Sequence, residues 1–402
     1  MSLLQELSKK EVWETFLQIK IEHNQLSKKE IKQLSSFIQG EGYLHVTDTL
    51  SFGYPQKKSI SKANTTKRRI VYSYNDEETN VLKLLAYLLY KYDDVLSDAC
   101  YSFRKNKTAK TAFDAIMSIE DLSSKYVLKA DIHNYFNSID VEQLIEILQS
   151  VIQDDPDLLS FLSSLLTQNK CIRNDEIIEE KRGAMAGVPL SSFFANLYLM
   201  DLDEYFVQKG IPYFRYSDDI LLFFDTQEQL EESFSYIKNF LSKKKLELNP
   251  DKIIVRKPEE SWEFLGFKYK DGEIDLSDMT IQKMKRKIKH KANALYAWEK
   301  KNNIPYEKTI KKMIQIFDNK FYDLTGNNAF TWIRFYFPVI TTTKGLHEID
   351  IYMQKYLRYL YSGRHYKGNY KITYEQLKKL GYTPLVGEYY NWKKENLLLQ
   401  KR

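Results

Sequence analysis

Phe214-Arg215-Tyr216-Ser217-Asp218-Asp219-Ile220-Leu221-Leu222-Phe223-Phe224 places two apolar, aromatic-rich runs on either side of adjacent carboxylates. Such runs predict a β-hairpin that carries both acids where the chain turns back. Neighbouring aspartates repel one another, sit poorly in strands and gain nothing from flanking core residues. A divalent cation gives them a use. Hard cations such as Mg²⁺ take oxygen ligands, commonly one or two carboxylates with substrate phosphates, and a tight hairpin holds two such ligands at one point. An ordinary surface turn is the competing reading, and other parts of the chain must decide between them.

A chain of 402 residues, 43% hydrophobic, is long enough for two or three packed subdomains. Cys100 and Cys171 lie far apart and match no zinc or disulfide spacing, which fits a reducing cytoplasm. No basic region followed by an apolar core opens the sequence, and no run of eighteen apolar residues occurs. The expectation is a protein neither secreted nor membrane-spanning. The net charge of +6 is uneven: residues 271–402 hold 25 Lys and Arg against 13 Asp and Glu. A polyanion would be gripped by that basic third, most of all along Lys283, Lys285, Arg286, Lys287 and Lys289. A basic run of this kind is commonly just a solvated helix face. Aromatics further on, among them Tyr296, Trp298, Trp332, Tyr356 and Tyr361, favour nucleic acid, since bases stack where phosphates are neutralised. Most of these rings are nevertheless expected in the core.

Capping boxes at Ser8-Lys9-Lys10-Glu11 and Ser27-Lys28-Lys29-Glu30 predict two N-terminal helices, the second ending near Gly40. Apolar spacing predicts a helix over residues 77–92, a strand over 126–132 and a helix from about Val141, with Asp140 as its N-cap. Pro189 to Gln208 reads as one long apolar helix stopped by Gly210 and Pro212. Asp201, Asp203 and Glu204 read as its solvated end. Short strands follow near Ile253–Val255 and Phe264–Tyr269, and helices dominate from Met279. Mixed strands and helices in the middle with helices at both ends give an α+β core with helical flanks.

Two-metal phosphoryl transfer needs a third carboxylate. Asp131 is the candidate, because it ends an apolar strand where a side chain can project from a sheet edge. His133 beside it is expected on the opposite face. Asp131-Ile132-His133-Asn134-Tyr135-Phe136-Asn137-Ser138-Ile139 resembles the first palm motif of reverse transcriptases, and Tyr216-Ser217-Asp218-Asp219 resembles their Tyr-x-Asp-Asp box, 87 residues on from the first aspartate to the second. Other blocks stand in order. Gly183 to Asn196 is similar to the glycine-rich turn and helix beneath the nucleotide, Leu246 to Lys252 to the next block, and Phe264-Leu265-Gly266-Phe267 to the hairpin that grips the primer end. Lys62, Lys67, Arg68 and Ile70 resemble a fingers motif, as does Tyr101-Ser102-Phe103-Arg104. Met185-Ala186 stands where many relatives have Pro-Gln, and the retron-type signatures Asn-Ala-x-x-His and Val-Thr-Gly are absent. The pattern resembles stand-alone bacterial reverse transcriptases of phage defence and abortive infection.

The resemblance implies a right-hand polymerase with fingers over residues 1–125, palm over 126–274 and a basic helical thumb over 275–402. It implies RNA-directed DNA synthesis in the cytoplasm by two-metal nucleotidyl transfer. A structured non-coding RNA is the expected template and dNTPs the substrates, with DNA as product, no membrane, and a homo-oligomer as an open option. Asp131, Asp218 and Asp219 would be catalytic and, with Ile132, hold two Mg²⁺ ions, Mn²⁺ being the alternative. Lys62, Lys67, Arg68, Phe136, Ala186, Gly187 and Lys252 would bind the nucleotide, Phe136 as a gate against a 2′-hydroxyl. Phe264, Leu265 and Gly266 would grip the primer. Untemplated, protein-primed DNA synthesis and a catalytically silent RNA-binding fold are the alternatives.

Overall fold

The computed structural model describes residues 2–23, 26–46, 52–61, 68–322 and 331–399. Lys62 and Lys67 therefore lie outside the described residues. The chain divides into two compact units, residues 1–23 with 29–258, and 24–28 with 259–402.

In chain order the strands are β1 (Gln56–Ser61), β2 (Arg68–Ser73), β3 (Tyr126–Asp131), β4 (Lys170–Arg173), β5 (Glu176–Glu179), β6 (Tyr213–Tyr216), β7 (Asp219–Phe224), β8 (Ile254–Arg256), β9 (Trp262–Phe264), β10 (Phe267–Lys270) and β11 (Glu273–Leu276). The N-terminal unit holds two four-stranded sheets, ordered β2-β1-β4-β5 and β6-β7-β3-β8. The second is antiparallel throughout, with Tyr126 opposite Phe224 and Asp131 opposite Asp219. Its central strand β7 is buried from Ile220 to Phe224, which explains why the sequence there is a continuous apolar run rather than an alternating one. Helix Gln227–Lys243 packs against β3 and β7. Thr226 caps that helix by accepting from the Gln229 amide at 3.3 Å, as Asp140 caps Val141–Val151 through the Gln143 amide at 3.1 Å.

Several expectations change. The helix beginning at Lys10 is capped by Lys9 with no side-chain bond, and Ser8 instead donates to the Gln5 carbonyl. The long helix from Pro189 is two helices, Ser191–Tyr198 and Met200–Gln208, broken at Leu199 (φ −110°, ψ 9°). Asp203 is fully buried rather than solvated, because Arg215 on β6 meets it with two hydrogen bonds, Nε to Oδ1 at 2.7 Å and Nη2 to Oδ2 at 2.6 Å. Tyr213 adds a third at 2.8 Å.

In the C-terminal unit, β9, β10 and β11 form an antiparallel sheet followed by helices Asp278–Asn302, Tyr306–Phe321, Lys344–Ser362 and Leu385–Leu399. Ile281, Met284, Ile288, Ala292 and Leu295 line the buried seam of the first helix at helical spacing. Lys283, Arg286, Lys287 and Lys289 are exposed on it, while Lys285 is half-buried and pairs with Glu348. Trp332 and Tyr356 are core residues; Trp298 and Tyr361 are exposed.

Removing one partner of a buried ion pair strands the other charge, which costs about 3–5 kcal/mol. Asp203→Ala is therefore expected to lower the unfolding free energy by about that amount, and Arg215→Met combined with Asp203→Leu by much less. Urea unfolding followed by circular dichroism measures both.

Candidate active site

Tyr216 and Asp219 close a two-residue turn, Ser217-Asp218, between β6 and β7. Of the two turn residues only Ser217 has positive φ (+62°), the type II′ pattern that follows the twist of paired strands. Glycine usually fills that position; serine does so here under restraint. The Ser217 amide donates to Ser102 Oγ at 2.8 Å, and Arg215 Nη1 donates to the Ser217 carbonyl at 3.3 Å. Ser102 in turn donates to Asn196 Oδ1 at 3.2 Å, and its carbonyl accepts from Asn196 Nδ2 at 2.8 Å. The turn thus stands on buried residues from the 101–104 block and the helix after the glycine block.

The ladder between β3 and β7 continues past the strand end, where the Ile132 amide donates to the Asp218 carbonyl at 3.1 Å. Asp131, Asp218 and Asp219 are gathered at this one sheet edge. Burial, then Asp131, raises the Asp218 carboxyl above its ordinary range. Asp219 is raised to about 6 by burial and by the two other carboxylates, partly offset by Lys129. Asp131 is 3% exposed, and Lys252 Nζ lies 2.5 Å from its Oδ2. Asn249 brings Lys252 there, its amide donating to the Asp131 carbonyl at 2.8 Å.

Asp131, Asp218, Phe136, Arg68, Arg69 and Lys252 line a cleft of about 540 Å³ in the N-terminal unit. Arg69 joins Arg68 there, unforeseen from the sequence, with its guanidinium 5.9 Å from the centre of the Phe136 ring. His133 also lines the cleft rather than the opposite face, because it stands two residues on from Asp131 and the period of two in extended chain returns it to the same side. The glycine block closes one wall. A Cβ at Gly183 (φ +55°) would stand 2.6 Å from the Phe136 carbonyl, and one at Gly187 (φ +100°) 2.9 Å from that of Tyr72. Between them Ala186 accepts from the Tyr72 amide at 2.8 Å and donates to Asn137 Oδ1 at 3.0 Å. Asn137 Nδ2 reaches the Ile70 carbonyl at 3.1 Å, so one side chain joins β2, the glycine block and the Phe136 turn.

Phe264, Leu265 and Gly266 belong to the C-terminal unit. Leu265 and Gly266, both at positive φ (+51° and +87°), form the type I′ turn between β9 and β10. Among the described residues no group of three His, Cys, Asp or Glu side chains stands in metal-ligating geometry, and no helix is long and apolar enough to cross a membrane.

A sheet edge that gathers three aspartates between an arginine-bearing hairpin and a glycine-rich wall is the frame of a nucleotide polymerase palm. The family model "Reverse transcriptase (RNA-dependent DNA polymerase)" matches residues 55–269, and the chain belongs to that family. It is 21% identical over 237 residues to the retron Ec86 reverse transcriptase of Escherichia coli, a match covering 58% of this chain and 68% of that protein. Solved structures similar to it include telomerase from Candida tropicalis (TM-score 0.46, 14% identity, 85% of this chain and 69% of that one). The same enzyme truncated from its C-terminal domain is matched over 55% of its length (TM-score 0.44, 14% identity, 56% of this chain). Telomerase from Candida albicans in complex with a fragment of telomeric RNA is matched over 62% of its length (TM-score 0.44, 12% identity, 82% of this chain).

With Asp219 titrating near 6, the folded protein keeps a proton between about pH 4 and 6 that the unfolded chain releases. Stability contributed by this group therefore falls as pH rises through that window, and the full cost is present above it. Allowing for its partial exposure, Asp219→Asn is expected to stabilise the metal-free protein by about 1–2 kcal/mol at pH 8 and not at all near pH 4. Urea unfolding at the two pH values reads the difference directly.

Proposed function

We propose that this chain is an RNA-directed DNA polymerase that extends a primer 3′-end with deoxynucleotides on a structured non-coding RNA, in cytoplasmic antiphage defence. The observation that carries the reading is the convergence of Asp131, Asp218 and Asp219 on one sheet edge, beside a cleft that also holds Arg68, Arg69 and Phe136. Three acids that repel phosphate would weaken a module that only bound RNA. The defence setting rests on the motifs' resemblance to stand-alone bacterial enzymes.

The donor set suits Mg²⁺. That ion takes one or two carboxylates and completes its shell with water and substrate phosphates, so Asp131 and Asp218, which both line the cleft, suit it as ligands. Burial, and after it the neighbouring carboxylates, raises the Asp218 and Asp219 carboxyls, a cost that a bound cation would relieve, and Lys252 beside Asp131 already answers part of the negative charge. Asp131 and Asp218 would hold two ions with Asp219 in support, and when bound these favour ionisation of the attacking 3′-hydroxyl and neutralise charge on the pyrophosphate.

The other roles belong to the chain itself. Arg68 and Arg69, at the start of β2 and both exposed to the cleft, neutralise the triphosphate as forked donors. Phe136 packs against the deoxyribose, held from behind by the glycine wall, and leaves no room for a 2′-hydroxyl. Ala186, with only a methyl group, and Gly187, with no side chain, let the glycine wall beside the Phe136 turn stand close to the nucleotide. The C-terminal unit, with its exposed Lys283, Arg286, Lys287 and Lys289, supplies positive surface for the duplex.

Two measurements test this reading. The protein and an Asp218→Asn/Asp219→Asn version are purified from cells, and all accompanying RNA and DNA is sequenced. A defined RNA with both, and complementary DNA with the intact protein alone, is expected; DNA matching no template, or none even after phage challenge, would overturn it. Separately, Phe136→Ala is expected to improve ribonucleotide use relative to deoxynucleotide use by about tenfold or more. Unchanged selectivity in single-nucleotide extension would remove Phe136 as the gate.

A further inference from the structure

Among the described residues Phe103 is the only aromatic with a left-handed backbone (φ +56°). A bulky side chain adopts that conformation at a cost that glycine avoids. Its neighbours enforce it. Ser102 on one side is bonded to Asn196 and to the Ser217 amide. Arg104 on the other reaches Asp93 Oδ2 at 3.0 Å, the Ser97 carbonyl at 2.7 Å and the Asp93 carbonyl at 3.0 Å. Phe103 held in this way is 44% exposed, so the strain does not serve to bury it in the core. It stands edge-on to Phe136 with centroids 6.5 Å apart.

Phe103 also lines a second cavity, of about 160 Å³, together with Tyr90, Pro189, Ser192 and Phe193. An engineered apolar cavity of roughly 150 Å³ admits benzene, so this one has room for a planar ring. It lies in the N-terminal unit, and Phe103, which lines it, also touches the proposed sugar gate Phe136. Lys105, two residues along, is exposed.

We propose that this cavity receives one unpaired nucleobase of the template, the next to be copied, stacked on Phe103. The inference rests on the templated-polymerase reading above and adds a site to it. Stacking suits the task because every base presents a π-face, so the template is held whatever its sequence. The Lys105 ammonium balances the neighbouring phosphate. The strain at Phe103 is then explained by function: the loop that braces the Ser217-Asp218 turn also presents the ring that seats the template.

The test uses 2-aminopurine at the first template position beyond the one being copied, on a primer ended with a dideoxynucleotide. Wild-type protein is expected to quench its fluorescence; in a separate assay with an extendable primer, lengthening the template overhang from one nucleotide to three is expected to lower KM for the nucleotide on the order of tenfold. Phe103→Gly, which relieves the backbone and should unfold no more readily than wild type, is expected to lose both effects. Phe103→Trp is expected to keep them. Quenching and overhang dependence that persist in Phe103→Gly would overturn the site. Primer extension by wild type without any overhang dependence would overturn it while leaving the polymerase reading intact, whereas no extension on any template would overturn both.

Discussion

The left-handed backbone of Ser217 aims Asp218, and the buried guanidinium of Arg215 underlies it. Arg215 is fully buried with Asp203, and its third arm bonds the Ser217 carbonyl. Two charges in the interior are tolerable only with good geometry and satisfied donors. Both conditions are met by the paired hydrogen bonds to Asp203, with Asn196 and Ser217 taking the remaining donors. Five segments are joined through this network: helix Met200–Gln208, β6, the turn, the 101–104 loop and helix Ser191–Tyr198. The direction of the Ser217-Asp218 turn is set from below, by the fold itself.

Above that foundation the site is electrostatically uncomfortable. Asp131 faces Asp219 across neighbouring strands, a like-charge pairing that weakens a sheet, and Asp218 stands beside both. Lys252 and Lys129 offset part of the repulsion. Burial, with the neighbouring carboxylates, holds the Asp218 and Asp219 carboxyls above their ordinary range, so the three acids stand where they cost the fold stability.

The decisive residues were legible because they break strong patterns. Asp131 ends an apolar strand, and Asp218 and Asp219 interrupt two apolar runs, so acids at those points stand out against the β periodicity. Gly183 and Gly187 were legible through the resemblance of their block to the family's glycine-rich turn, and the backbone does approach closely at both. Asp203 was not. Set between Asp201 and Glu204 near a helix end, it carries no local sign of burial. The available signal was its partner: Arg215 lies within an otherwise apolar strand, and a charge buried there requires a counter-charge. The break at Leu199 also escaped notice, since apolar residues continue through it without proline or glycine. Arg69 was missed because the fingers resemblance pointed to Arg68 alone of the two adjacent arginines, whereas both line the cleft.

Primer extension on an RNA of mixed sequence, with the product sequenced, tests the central claim most directly. The account predicts DNA complementary to the RNA, made in the presence of Mg²⁺ and lost in Asp131→Asn. A product whose sequence is indifferent to the RNA, or one made equally well by Asp131→Asn, would contradict it.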